Sequence, residues 1–68
     1  MIAKCVTKWS AEDGGRRVYF SRSHIRENVG SLEEARAKEE DHNRARMLEG
    51  MEADGWRWEI ASVVEVKS

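Results

Sequence analysis

His24, His42 and Cys5 are the side chains of this chain best suited to metal or nucleophile chemistry, and their spacing argues against both. A structural zinc site needs four closely spaced soft ligands, and a catalytic one needs three protein ligands. The chain contains no Cys-x-x-Cys, His-x-x-x-His or Glu-x-x-His, so no metal and no cofactor is expected. His42 stands in a charged run and reads as a surface residue, and Cys5 in a strand reads as a small buried apolar one. The neighbouring carboxylates Glu33 and Glu34, and Glu39, Glu40 and Asp41, resemble acid–base pairs only in sequence. On a helix, adjacent residues point about 100° apart and do not share a site. Glu34 with Lys38 and Glu40 with Arg44 stand four apart and support a helix before they support catalysis. Gly14-Gly15-Arg16-Arg17 lacks the lysine and serine of a nucleotide-binding loop and reads as a turn. No catalytic constellation is present, and the chain is read as a non-enzyme.

Binding chemistry has stronger support. Lys8, Arg16, Arg17, Tyr19 and Arg22 combine cations with an aromatic ring in the first third of the chain. Sheet modules that hold single-stranded nucleic acid stack bases on aromatics and neutralise phosphates with arginine. Against this stands an isoelectric point near 6.1, low for a nucleic-acid binder. Glu33, Glu34, Glu39, Glu40 and Asp41 suit a different partner, a basic groove on another protein. Residues 1–29 hold six basic and three acidic side chains, a net of +3, and residues 30–68 hold six and ten, a net of −4. Such polarity favours a charged partner or head-to-tail self-association.

The elements that position these groups follow from pattern. Ile2 to Trp9 mixes β-branched residues with lysines and reads as a first strand, its odd positions Ala3, Cys5, Thr7 and Trp9 facing inward. Ser10 to Gly15 is a turn, and Arg17 to Ser23 a second strand with Val18 and Phe20 on one side and Arg17 and Tyr19 on the other. His24 to Gly30 has no period and reads as a loop. Ser31-Leu32-Glu33-Glu34 is a capping box: the serine oxygen accepts from the third helical N–H, and Glu34 reaches back to the serine N–H. With Gly55 as the stop, the helix spans about 24 residues, roughly 36 Å at 1.5 Å per residue. Its apolar face is thin between Arg36 and Arg46, so that part projects into solvent or packs on a second copy, while Met47, Leu48 and Met51 cover the sheet. Gly50 is a candidate kink, since glycine inside a helix costs about 1 kcal/mol relative to alanine. In the last strand Trp56, Trp58, Ile60, Val64 and Val66 alternate with Arg57, Glu59 and Glu65, and the tryptophans and Phe20 are expected in the core.

The fold class expected is α+β: a three-stranded, mainly antiparallel sheet with one long helix packed on one face, in the order β-β-α-β, as a single domain over residues 1–68. A chain this short buries roughly 60% of its unfolded surface, and one strand edge stays open, so a homodimer or a partner is expected. No long apolar run offers a membrane span, and a lone cysteine fits a reducing compartment, so a cytoplasmic protein is expected.

Leu48 to Trp56, followed by Ser62-Val63-Val64, resembles a family of small bacterial and phage domains of unknown function. The family pattern is leucine, asparagine, two residues, glycine, two residues, glycine, tryptophan, then a strand ending in Ser-Val-Val. Leu48, Gly55, Trp56 and Ser62-Val63-Val64 match it, while Glu49 stands for the asparagine and Glu52 for the first glycine. The resemblance covers about a third of the chain, implies a small sheet with one helix, and implies no activity. The leading functional expectation is a protein-interaction module, an inhibitor or regulator of the phage or mobile-element kind, acting by occlusion through the acidic helix or the open strand edge. That analogy is one of size and charge. The alternative is a single-stranded RNA- or DNA-binding domain using the basic hairpin.

Overall fold

The structure, a computed structural model, describes residues 1–47 and 55–67. Four elements run in the order β1 (Ala3–Asp13), β2 (Arg16–Arg26), α1 (Leu32–Arg46) and β3 (Arg57–Glu65). The sheet is antiparallel throughout, in the order β2-β1-β3. The chain therefore leaves β2, crosses the sheet through α1 and returns on the far side of β1. This is the α+β architecture the sequence implies, with α1 lying over β1 and β3.

Both strands of the hairpin are longer than their composition suggests. Asp13 lies opposite Arg16, so only Gly14 and Gly15 form the turn. Their φ angles of +59° and +83° are the positive pair that a two-residue hairpin turn of matching twist requires. β1 therefore continues through Ser10–Asp13, which composition alone assigns to the turn. β2 likewise continues through His24, Ile25 and Arg26, opposite Cys5, Lys4 and Ala3. Their lack of alternation is overridden by eleven consecutive pairings with β1.

The odd positions of β1 face the helix: Ala3, Cys5, Thr7, Trp9 and Ala11 are all buried. Cys5 and Ala3 pack with Ala35 and Val29, and Val63 closes this cluster from β3. The aromatic groups divide differently from expectation. Trp9, in the central strand, is the deeply buried indole, while Trp56 and Trp58 are half-buried and Phe20 stays 38% exposed. Phe20 stacks on Trp9 with ring centroids 6.1 Å apart and meets the edge of Trp56 at 5.4 Å. The indole N–H of Trp9 has no hydrogen-bond partner among the described residues.

The face of β3 also changes along its length. Trp58 and Ile60 stand opposite Trp9 and Thr7, but Ser62 stands opposite Val6 and Val63 opposite Cys5. Ala61 is thus the extra residue of a bulge, which reverses the sides of everything after it. Val63 turns inward, and Val64, opposite Lys4, joins the open face at 49% exposure. Unbroken alternation had placed Val64 with the tryptophans.

The helix begins as its capping box requires, with one substitution of partners. The Glu34 N–H donates to Ser31 Oγ at 3.1 Å, and Glu34 Oε2 accepts from the Gly30 N–H at 2.8 Å in place of the serine's own. The segment expected to project packs on the sheet instead. Ala35, Glu39 and Asn43, four residues apart, form its buried row. The continuation of the helix past Arg46, the kink at Gly50, and the cover by Leu48 and Met51 lie outside the described residues. Gly55 has the positive φ, +81°, expected of a helix stop.

The hairpin supplies a direct test. A Cβ added at Gly14 meets no atom within 4 Å, so only backbone strain resists substitution. Gly14→Val is expected to lower unfolding stability by about 1–2 kcal/mol, and Gly14→Asn by clearly less, measured by urea denaturation.

Candidate functional site

Three features of this framework are candidates for function: a buried polar hub under the helix, the outer face of the helix, and the sheet with its β2 edge.

The hub is built on Glu39, which is 1% exposed. Its Oε1 accepts from Arg26 Nε at 2.9 Å and from His24 Nδ1 at 3.0 Å, both from β2. The contact with His24 is a donation to the carboxylate in the tautomer that carries a proton on Nδ1. Thr7 of β1 directs its hydroxyl at Glu39 Oε2 over a long 3.4 Å, and itself accepts from Asn43 Nδ2 at 3.0 Å. Arg26 Nη2 also donates to the Lys38 carbonyl at 3.2 Å. One carboxylate therefore ties the helix to two strands. Placing Glu39 among exposed partner-binding acids is corrected: its charge is spent inside the molecule.

His42 lies against His24, with ring centroids 5.1 Å apart. Burial lowers the His42 pKa below the ordinary 6.5; Glu39 opposes this, and His24, Arg26 and Arg46 add to the lowering. For Cys5, burial raises the thiol pKa and Glu39 raises it further, against an opposing pull from Arg26. A thiol held protonated is a poor nucleophile, and Cys5 Sγ instead points at the Ala35 carbonyl at 3.9 Å. Among the described residues no three His, Cys, Asp or Glu side chains converge as a metal site, and no helix is long and apolar enough to cross a membrane.

The outer face of the helix is neutralised by its own cations. Lys38 pairs with Glu34 at 3.8 Å, Arg36 with Glu40 at 3.3 Å, and Arg44 with both Glu40 and Asp41 at 3.2 Å. Pairs this exposed contribute at most about 0.5 kcal/mol each, but they cancel the field. With Glu39 inside, α1 shows four acids and four bases outward, and Glu33 is the acid without an ion pair among the described residues. Over the described residues of α1, these pairs neutralise most of the acidic face expected from the sequence.

The sheet separates the basic set by side. Lys8, Arg17 and Tyr19 stand on the open face, together with Ser10, Arg57 and Glu59, around a shallow groove of about 330 Å³. Tyr19 is 63% exposed, and Arg17 Nη2 is held by Glu12 at 3.1 Å. Arg57 was missed as a member of this group; its alternation with Trp56 and Trp58 was the available signal. Arg16 and Arg22 stand on the opposite side, in a row with Val18, Phe20, His24 and Arg26.

β2 as a whole is the most unusual surface. It is an edge strand of eleven residues, and none of them is buried. It carries four arginines and no acid. Among the described residues its helix-side row is held by His24 and Arg26 on Glu39 and by Phe20 on Trp9 and Trp56, yet from Arg16 to Arg22 both faces stay exposed. The β3 edge is interrupted by its bulge, a common means of blunting an edge. β2 has no interruption and no proline.

Comparison of the chain with protein-family models, curated proteins and solved structures finds no significant match.

Two outcomes follow from the hub. Glu39→Ala leaves Arg26 and His24 facing a vacated buried site and is expected to lower stability by about 3 kcal/mol, with Glu39→Gln in between, by chemical denaturation. Because the folded state holds His42 below its unfolded pKa, the unfolded chain takes up the proton first as pH falls. Stability is therefore expected to decline as pH falls below about 6.5, and His42→Gln should flatten that decline in denaturation curves taken at successively lower pH.

Proposed function

We propose that the chain is a non-catalytic protein-interaction module that captures an extended segment of its partner along the β2 edge. The observation that carries this reading is an unbroken eleven-residue edge strand with no buried residue, bearing four arginines and no acid. An edge strand offers a row of unpaired backbone groups, and strand addition is the recognition mode that uses them. The charge selects the partner: an antiparallel second copy of β2 sets arginine rows against each other, whereas an acidic strand is matched. Regulation by occlusion, as with small inhibitors of phage type, is consistent with so small a binding domain. The helix is assigned a supporting role, because most of its outward charges over the described residues are already paired.

A second reading is favoured by the open face. Tyr19, ringed by Lys8, Arg17 and Arg57, suits a single base stacked beside its phosphates. Glu12 and Glu59 on the same face weaken it.

The test is retention of protein from a nuclease-treated cell lysate on the immobilised chain, with Arg16→Glu/Arg22→Glu and Glu33→Lys as parallel columns. Retention is expected on the parent and on Glu33→Lys, and its loss on the double variant. Equal retention on all three overturns the edge reading. Should the chain instead shift generic single-stranded oligonucleotides, with binding that falls steeply between about 50 and 200 mM salt and vanishes in Arg17→Ala/Tyr19→Ala, the second reading takes its place.

A further inference from the structure

Alternate residues of a strand share a side, so a segment added to β2 meets two separate rows of side chains. The helix-side row runs Arg16, Val18, Phe20, Arg22 before reaching His24 and Arg26, which Glu39 already engages. Its members are exposed, Val18 at 40% and Phe20 at 38%. The other row runs Arg17, Tyr19, Ser21, Ser23, with Arg17 occupied by Glu12 and two serines of little selectivity. Discrimination therefore rests on the first row, whose order is base, apolar, apolar, base.

We propose that the segment captured by β2 carries the complementary row, acid-x-apolar-x-apolar-x-acid, its carboxylates facing Arg16 and Arg22 and its aliphatic side chains facing Val18 and Phe20. This rests on the edge-docking reading and adds to it the chemistry of the partner. The order reads the same in both directions, so parallel and antiparallel segments present the same pattern. The carboxylates reach guanidinium groups that have no ion pair among the described residues, and the aliphatic pair extends the ring stack of Phe20 on Trp9. A second copy of β2, with no acid between Arg16 and Arg26, does not supply the row. The β3 edge, Glu59-Ile60-Ala61-Ser62-Val63-Val64-Glu65, has the right spacing in sequence, but its bulge puts Glu59 and Glu65 on opposite sides.

The experiment titrates the isotope-labelled chain with the capped peptide Thr-Glu-Thr-Val-Thr-Val-Thr-Glu-Thr. Its controls are an isomer with both acids moved to the other side, Thr-Thr-Glu-Val-Thr-Val-Glu-Thr-Thr, and a form with lysine for glutamate. Backbone amide shifts locate binding, and calorimetry gives affinities. The first peptide is expected to move the amides of Arg16–Arg22 and to bind on the order of tenfold tighter than its isomer, a 1.4 kcal/mol difference. Arg16→Glu/Arg22→Glu should transfer the preference to the lysine peptide, with a far-ultraviolet spectrum unchanged from the parent. Equal binding of the two isomers at β2 overturns the pattern and leaves edge docking intact. If no peptide moves these amides while the column retains protein, the pattern again fails alone; if retention fails as well, both readings fall. Oligothymidylate moving the amides where peptides do not, or concentration-dependent dimers by light scattering that shift the Arg16–Arg22 amides, replaces the peptide with a nucleic acid or a second copy and overturns the proposal.

Discussion

A single buried carboxylate holds this fold together. Glu39 lies between the helix and the sheet, receives Arg26 and His24 from one strand and the Thr7 hydroxyl from the next, and has almost no contact with water. A charge in such a place is tolerated only when its lone pairs are occupied. Over its described residues the helix that carries it shows no apolar stripe; its inner row is Ala35, Glu39 and Asn43. Polar registration thus does much of what greasy packing does in larger domains. Its geometry is strict, because a helix shifted by one residue would lose every one of those partners.

The same anchor explains where the molecule is left open. Glu39 grips β2 at His24 and Arg26 only, and the helix body lies over β1 and β3. The rest of β2 runs on into a long hairpin, in a particle 43 Å by 20 Å by 14 Å. A strand that is both an edge and uncovered would pair indiscriminately were it neutral. Four arginines change that: they set like charges against a second copy, and in the reading proposed above they suit a segment of opposite charge. Over its described residues the helix, by contrast, closes most of its outward acids on its own cations.

Much of the frame was legible from residues alone. The glycine pair at the turn, Ser31 as the cap, the inward odd positions of β1, and Val18 and Phe20 opposite Arg17 and Tyr19 all follow from local rules of backbone conformation and side-chain alternation. These rules act over a few residues, and nothing distant overrides them there. The site was less legible. Lys8, Arg17 and Tyr19 do meet on one face, but Arg57 joins them only once β3 is seen to flank β1.

What needed three dimensions is what depends on partners far apart in the chain. Glu39 reads as one more surface acid in a charged run, because no local pattern reveals that residues 7, 24, 26 and 43 surround it. His24–Arg26 looks like loop until β1 offers it a ladder, and Val64 looks inward until the bulge at Ala61 reverses its side. Sequence by itself determined the order of elements, the turn, the cap and the overall α+β class, since each rests on neighbours in the chain. Only the tertiary structure decided which charges are spent internally and which remain on β2, since pairing between distant groups is a property of the packed molecule.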